Sequence, residues 1–147
     1  MREILFRGKQ KEGRWVEGVY FKHDTVKVCF SSDDPKPRHL IIQDGFCDWG
    51  FEPPIHCVDV DPETVGQFTG LTDKNGKKIF EGDILSTENG TFSNTGMGHI
   101  LFYKGMWTSF YGQDALGRDC FDELHTVCNS REVIGNIYDN PELLEGE

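Results

Sequence analysis

At 147 residues, with a formal net charge of −10 and a pI near 4.9, the chain is long enough to bury a hydrophobic core without staples. Its acidity opposes non-specific binding to a phosphate backbone, because that affinity comes from Lys and Arg releasing counterions. There is no apolar run of bilayer length, and Arg2, Glu3 and Arg7 interrupt any signal-peptide core, so a cytoplasmic protein with no membrane partner is expected.

Periodicity along the chain is mostly two. Trp15–Phe21 and Thr25–Phe30 read as strands, with Lys22-His23-Asp24 as a short hairpin-like connection. The stretch from Ser31 to Arg38 holds Asp33, Asp34, Pro35 and Pro37, which is loop composition. His39–Ile42 reads as a short strand, Asp44–Pro54 as an irregular excursion, and His56–Val60 as a return to the sheet. Asp73-Lys74-Asn75-Gly76 is a turn signal, because Asn and Gly tolerate positive φ. Phe80-Glu81-Gly82-Asp83 reads as a second turn, leading into Ile84-Leu85. Gly98–Tyr103 and Met106–Tyr111 flank Lys104-Gly105, a two-residue hairpin signal. Phe121–Val127 fits either a short strand or one helical turn. Val133–Tyr138 is a last strand, in which Gly135 marks a bulge or a close backbone approach. Pro141–Leu144 is a helical turn. The pattern predicts a mainly β fold with few short helical turns.

The run Val60–Leu85, which contains Thr69-Gly70-Leu71-Thr72-Asp73-Lys74-Asn75-Gly76 and Glu81-Gly82-Asp83-Ile84-Leu85, resembles the signature of the YopX family, small proteins typical of phages and prophages. The opening Met1–Lys9 with Trp15-Val16-Glu17-Gly18, and the closing Glu132–Leu144, resemble that family's two ends. The resemblance implies a small SH3-like β-barrel at residues 61–147, including a C-terminal tail, with an N-terminal β-strand region at residues 1–60 as part of one compact unit. It also implies self-association, with an unknown phage or host protein as a further partner. It implies no established reaction, so a non-catalytic binding or assembly module is expected. No catalytic, cofactor-binding or metal residue is assigned.

Several groups are nevertheless candidates for chemistry. The five cysteines, Cys29, Cys47, Cys57, Cys120 and Cys128, are odd in number and lack a CxxC pair, which predicts free thiols in a reducing compartment. Zinc needs four converging ligands. His56 and Cys57 are adjacent and would point to opposite faces of a strand. Cys120, His125 and Cys128 form a looser group, more simply read as buried thiols and a surface imidazole. A cysteine nucleophile needs a nearby base that no motif here supplies. Asp59 with Asp61, and Asp73 with Glu81 and Asp83, offer carboxylates for acid–base or magnesium chemistry; turn-making is the simpler role for Asp73 and Asp83. Gly66, Gly70, Gly76 and Gly82 do not have phosphate-loop spacing. Lys74, Lys77 and Lys78, with Lys104, Trp107, Phe110 and Tyr111, suggest an aromatic and basic surface of the kind small barrels use for nucleic acid. That alternative is opposed by the overall charge, and a metal-dependent enzyme ranks third.

Overall fold

Two-residue alternation builds most of this protein. The computed structural model describes residues 3–24, 36–44, 55–86 and 97–144. It is mainly β and divides into two units, Glu3–Gln67 and the chain from Phe68 onward.

In the first unit β1 (Phe6–Lys9) and β2 (Trp15–His23) form an antiparallel hairpin. Its turn is closed by Gln10 N to Arg14 O at 2.8 Å and Gly13 N to Gln10 O at 2.9 Å. β3 (Arg38–Asp44) pairs with the far end of β2, and β4 (Ile55–Asp59) pairs with β3. The order is β4-β3-β2-β1-β5, with β6 beyond β5 where that strand runs on into the second unit. Alternation places Val16, Ile41 and Val58 on one face, where they pack with Phe6, Val60 and Val65. The expected connection at Lys22-His23-Asp24 is corrected. Lys22 and His23 lie opposite His39 and Arg38, so pairing with β3 keeps the chain extended there. Tyr20 and His39 reinforce this register through a 2.5 Å hydrogen bond. The expected strand Thr25–Phe30 and most of the excursion before Ile55 lie outside the described residues.

β5 (Gly66–Thr72) begins opposite β1, with Gln67 facing Phe6. In the second unit its Phe68 and Thr72 lie opposite Phe80 and Lys78 of β6 (Lys78–Phe80). There follow β7 (Asp83–Ser86), β8 (Met97–Tyr103), β9 (Met106–Gln113), β10 (Asp119–Glu123), the short helix α1 (Leu124–Val127) and β11 (Val133–Asn136). Their order is β10-β9-β8-β7-β11. Both sheets are antiparallel, and neither closes on itself among the described residues. The mainly β expectation holds, and this pairing does not by itself show the expected closure into a barrel. Ile79, Leu85, Ile100, Leu124, Cys128 and Val133 form the core of this unit, with Leu71 and Trp107 packed against it. Each such aliphatic side chain withdrawn from water contributes about 1.5–3 kcal/mol.

The turns follow the sequence closely. Lys104 and Gly105 have φ of 48° and 85°, the two positive values of a type I′ hairpin turn. The ambiguous segment after Cys120 is both things in succession. It stays extended to Glu123, and then Leu124, fully buried, anchors one turn of helix. Gly135 lies at a register shift in β11, and Asn140 Oδ1 occupies the space its side chain would need.

Gly82 joins backbone geometry to packing. Its φ is +83°, and a Cβ there would lie 3.0 Å from the Tyr138 ring. Its amide donates to Ile100 O at 2.8 Å, and its carbonyl accepts from Ile137 N at 2.9 Å. Gly76 has a similar φ of +81° but open space around it. Gly76→Val should therefore cost about 1 kcal/mol from backbone strain alone, and Gly82→Val about 2–3 kcal/mol because a clash is added. Thermal melts check the order; a Gly82→Val variant as stable as the parent contradicts it.

Candidate functional site

The acidic residues of the signature run build turns. Asp73 is only 4% exposed. Its Oδ1 accepts from Asn75 N at 2.8 Å and Lys77 N at 2.9 Å, and its Oδ2 accepts from Val133 N at 3.0 Å. Burial alone would raise this carboxyl, but the amides of Val133, Lys77 and Asn75, with the Lys77 charge, hold it below the ordinary carboxylate range. Asp83, also buried, accepts from Phe80 N at 2.8 Å. In the first unit β4 ends at Asp59, so Asp61 is not a second carboxylate on that strand. It caps the turn Pro62–Thr64 by accepting from Glu63 N at 3.1 Å. Asp59 holds Arg38 through two bonds of 3.0 and 2.6 Å. An open pocket of about 410 Å³ lies beside it, lined by Lys9, Lys11, Asp61 and Thr64 among others.

The cysteine and histidine group is dispersed. Cys128 is buried in the core, while His125 is exposed beside Glu123 at 3.6 Å. Cys120 is half-buried, with its Sγ directed to Arg118 O at 3.7 Å. Among the described residues no three His, Cys, Asp or Glu side chains are placed to hold a metal ion. His56 and Cys57 are both exposed and occupy adjacent positions in β4. Cys57, Cys120 and Cys128 are free thiols; Cys29 and Cys47 lie outside the described residues. No helix among those residues is long and apolar enough to cross a membrane.

The lysines and aromatics do not gather as one platform. Lys74 pairs with Glu132 at 3.2 Å, and Lys78 sits 5.6 Å from the Phe68 ring centre. Trp107 packs against the core and edge-on to Phe102. Tyr111 joins a polar cluster that sequence reasoning missed. Asp122 accepts from Tyr111 Oη at 2.6 Å and from Arg131 Nη2 at 2.5 Å. Arg131 Nη1 donates to Tyr111 Oη and reaches Ser109 Oγ at 3.5 Å. Burial opposes the Asp122 charge, but Tyr111 and Arg131 outweigh it and hold that carboxyl low; burial and Asp122 push the Tyr111 hydroxyl up. The one local signal was Gly98. A Cβ there would lie 2.4 Å from Ser109 Oγ and 2.6 Å from the Tyr111 ring. The members of this cluster satisfy one another, so it fixes the approach to β11.

Two surfaces are at least partly exposed among the described residues. The first is the outer face of the first sheet. Val19 lies opposite Ile42, and Ile42 opposite Cys57, so alternation puts Val19, Phe21, Ile42, Ile55 and Cys57 on the side away from the core. The second is on the hairpin of β8 and β9. Phe110 turns to the face opposite Trp107 and Tyr111, meeting Tyr103 at 6.2 Å and His99 at 5.6 Å between ring centres. Tyr103 meets Phe121 of β10 edge-on at 5.4 Å. Lys104 Nζ lies 4.8 Å from the centre of Tyr103 and 5.8 Å from that of Phe121. An exposed cation–π contact of this kind is worth about 0.5–1 kcal/mol.

The family model described as YopX protein matches residues 5–145. Among solved structures, the crystal structure of protein EF1440 from Enterococcus faecalis is similar, at 23% identity. The likeness covers 98% of this chain and 99% of that chain, with a TM-score of 0.49. No curated protein matches.

Two outcomes follow from the titrating groups. Asp73 is held low in the folded chain, so the unfolded chain takes up its proton first as pH falls below about 4. The stability it carries is complete above that pH and is lost as pH falls through the folded value. Asp73→Asn should be less stable than the parent at pH 7, with the gap narrowing toward pH 3; urea unfolding at both values checks it, and a gap that widens in acid contradicts it. Alkylation of the native protein at high dilution, where single chains prevail, should modify Cys57 quickly and Cys128 only after denaturation; mass spectrometry showing equal rates contradicts that placement.

Proposed function

We propose, for a chain that belongs to the YopX protein family, a non-catalytic binding or assembly module whose first partner is another copy of itself. One observation carries this reading. On the outer face of the first sheet Val19, Phe21 and Ile55 are 57%, 48% and 70% exposed, and they share that face with Ile42 and Cys57. Exposed apolar residues grouped on one face, with the Arg38–Asp59 pair on that same face, suit a contact site with a polar rim. Beside it β4 is the outermost strand of its sheet among the described residues, and an outer strand is a template for pairing with a second chain. Each copy carries a formal charge of −10, so the contact must be apolar at its centre with charges kept to the rim. A standard interface buries about 1,600 Å² in total, within reach of a chain this size.

The finer picture belongs to the same proposal. It comprises a phage or prophage accessory role in the cytoplasm, an unknown phage or host protein as a further partner, and an SH3-like character for the second unit. Support for the last is the five antiparallel strands and the tight Lys104-Gly105 turn. Binding of nucleic acid is the second reading. Its specific support is the half-buried group Tyr103, Phe110 and Phe121 beside Lys104, and the negative charge of the whole chain weighs against it.

Light scattering coupled to size exclusion should give a multiple of the 16.8 kDa chain mass. Higher salt should leave it unchanged or favour it, because screening removes repulsion between like-charged copies. The double substitution Val19→Lys and Phe21→Lys should reduce it to a single chain. A single-chain mass for the parent protein at micromolar concentration, in low and high salt, overturns the proposal.

A further inference from the structure

We infer that the aromatic face formed by Tyr103, Phe110 and Phe121 receives an arginine or lysine side chain from a basic protein partner, and that Lys104 occupies this seat in the free chain. The argument starts from the geometry of the rings. They come from three adjacent strands, with Tyr103 between Phe110 at 6.2 Å and Phe121 at 5.4 Å, each pair tilted edge-to-face. Tyr103 and Phe121 turn their ring faces to one cation, and the negative face of each ring attracts it. Lys104 shows that a cation fits. Its ammonium lies within cation–π range of two of the rings at once, 4.8 and 5.8 Å from their centres.

The rim supplies a counter-charge. Asp119 accepts from Tyr103 Oη and from Gln113 Nε2 at 3.0 Å. The Tyr103 bond first, then Gln113, with a contribution from the Lys104 charge, keeps this carboxylate ionised well below neutral pH. An anion fixed beside aromatic rings selects for a guanidinium or ammonium group and against a phosphate. The formal charge of −10 adds long-range attraction for a basic partner and repulsion for nucleic acid. Lys104 is easily displaced, because it is exposed at the tip of a two-residue turn and exposed side chains change rotamer within nanoseconds. The inference goes beyond self-association and does not rest on it, since a single chain carries the whole seat.

The test uses the full chain and a labelled hexa-arginine peptide, with affinity read by fluorescence anisotropy at low salt. Lys104→Asn suits the positive φ of the turn and empties the seat, so it should tighten binding about two- to fivefold, the factor equivalent to an exposed cation–π contact. Lys11→Asn, in the first unit, changes the net charge by the same amount and should tighten binding less. Phe121→Leu keeps the charge and should weaken binding by a similar factor. Equal effects of the two lysine substitutions overturn the inference, and they decide the matter even if Phe121→Leu fails to fold. Undiminished binding by a folded Phe121→Leu variant also overturns it. So does a single-stranded oligonucleotide that binds the parent more tightly than the peptide and loses affinity in Phe121→Leu, which would make the rings a base-stacking surface.

Discussion

The second unit depends on one buried carboxylate. Asp73 sits at the start of a tight turn, yet its second oxygen is committed to Val133, sixty residues later in the chain. The first oxygen closes the turn, and the second ties that turn to the start of β11. Nearby bonds follow the same path, with Lys74 N donating to Arg131 O at 2.9 Å and Lys74 Nζ meeting Glu132 at 3.2 Å. Hydrogen bonds to a charged group are each worth about 1.5–3 kcal/mol, and a buried carboxylate left without them would be strongly destabilising. From there Arg131 reaches back to Asp122 and Tyr111 and fixes β9 and β10. A turn, a closing strand and the far edge of the sheet are thus connected through polar groups at the margin of an aliphatic core.

That construction accounts for why so acidic a chain offers no obvious carboxylate chemistry in its signature region. Asp73 and Asp83 are buried and satisfied by backbone amides. Asp61 caps a turn, Asp59 holds Arg38, and Asp122 holds Arg131. These carboxylates are engaged in making the fold. Among the described residues the exposed apolar side chains include Val19, Phe21 and Ile55 in the first unit and Phe102, Met106 and Leu116 in the second.

Much of the fold was legible because its signals are local. Alternation located most of the strands, and Lys104-Gly105 named its own turn, since those two positions take the positive φ that the turn type demands. Asp73 and Gly76 were legible for the same reason. The extension of β2 through His23 was not, because it depends on a partner strand distant in sequence, and the strand order of the second sheet depends on pairings that no local pattern encodes. The polar cluster was hidden for a related cause. Ser109, Tyr111, Asp122 and Arg131 are spread over more than twenty positions, and only the packing opposite Gly98 brings them together. Alternation places Trp107 and Phe110 on opposite faces. The mixed aromatic and basic surface read from sequence is therefore divided between the two faces of the sheet.

The central claim is that the outer face of the first sheet is a contact surface between copies. Its most direct measurement is methyl NMR with a soluble paramagnetic agent, followed as the protein concentration is raised. The account predicts that the methyl groups of Val19, Ile42 and Ile55 become shielded from the agent as copies associate, while those of the core, such as Ile79 and Leu85, stay shielded throughout. Full access to Val19 and Ile55 at every concentration, with larger species present in the sample, would contradict it and place the contact elsewhere.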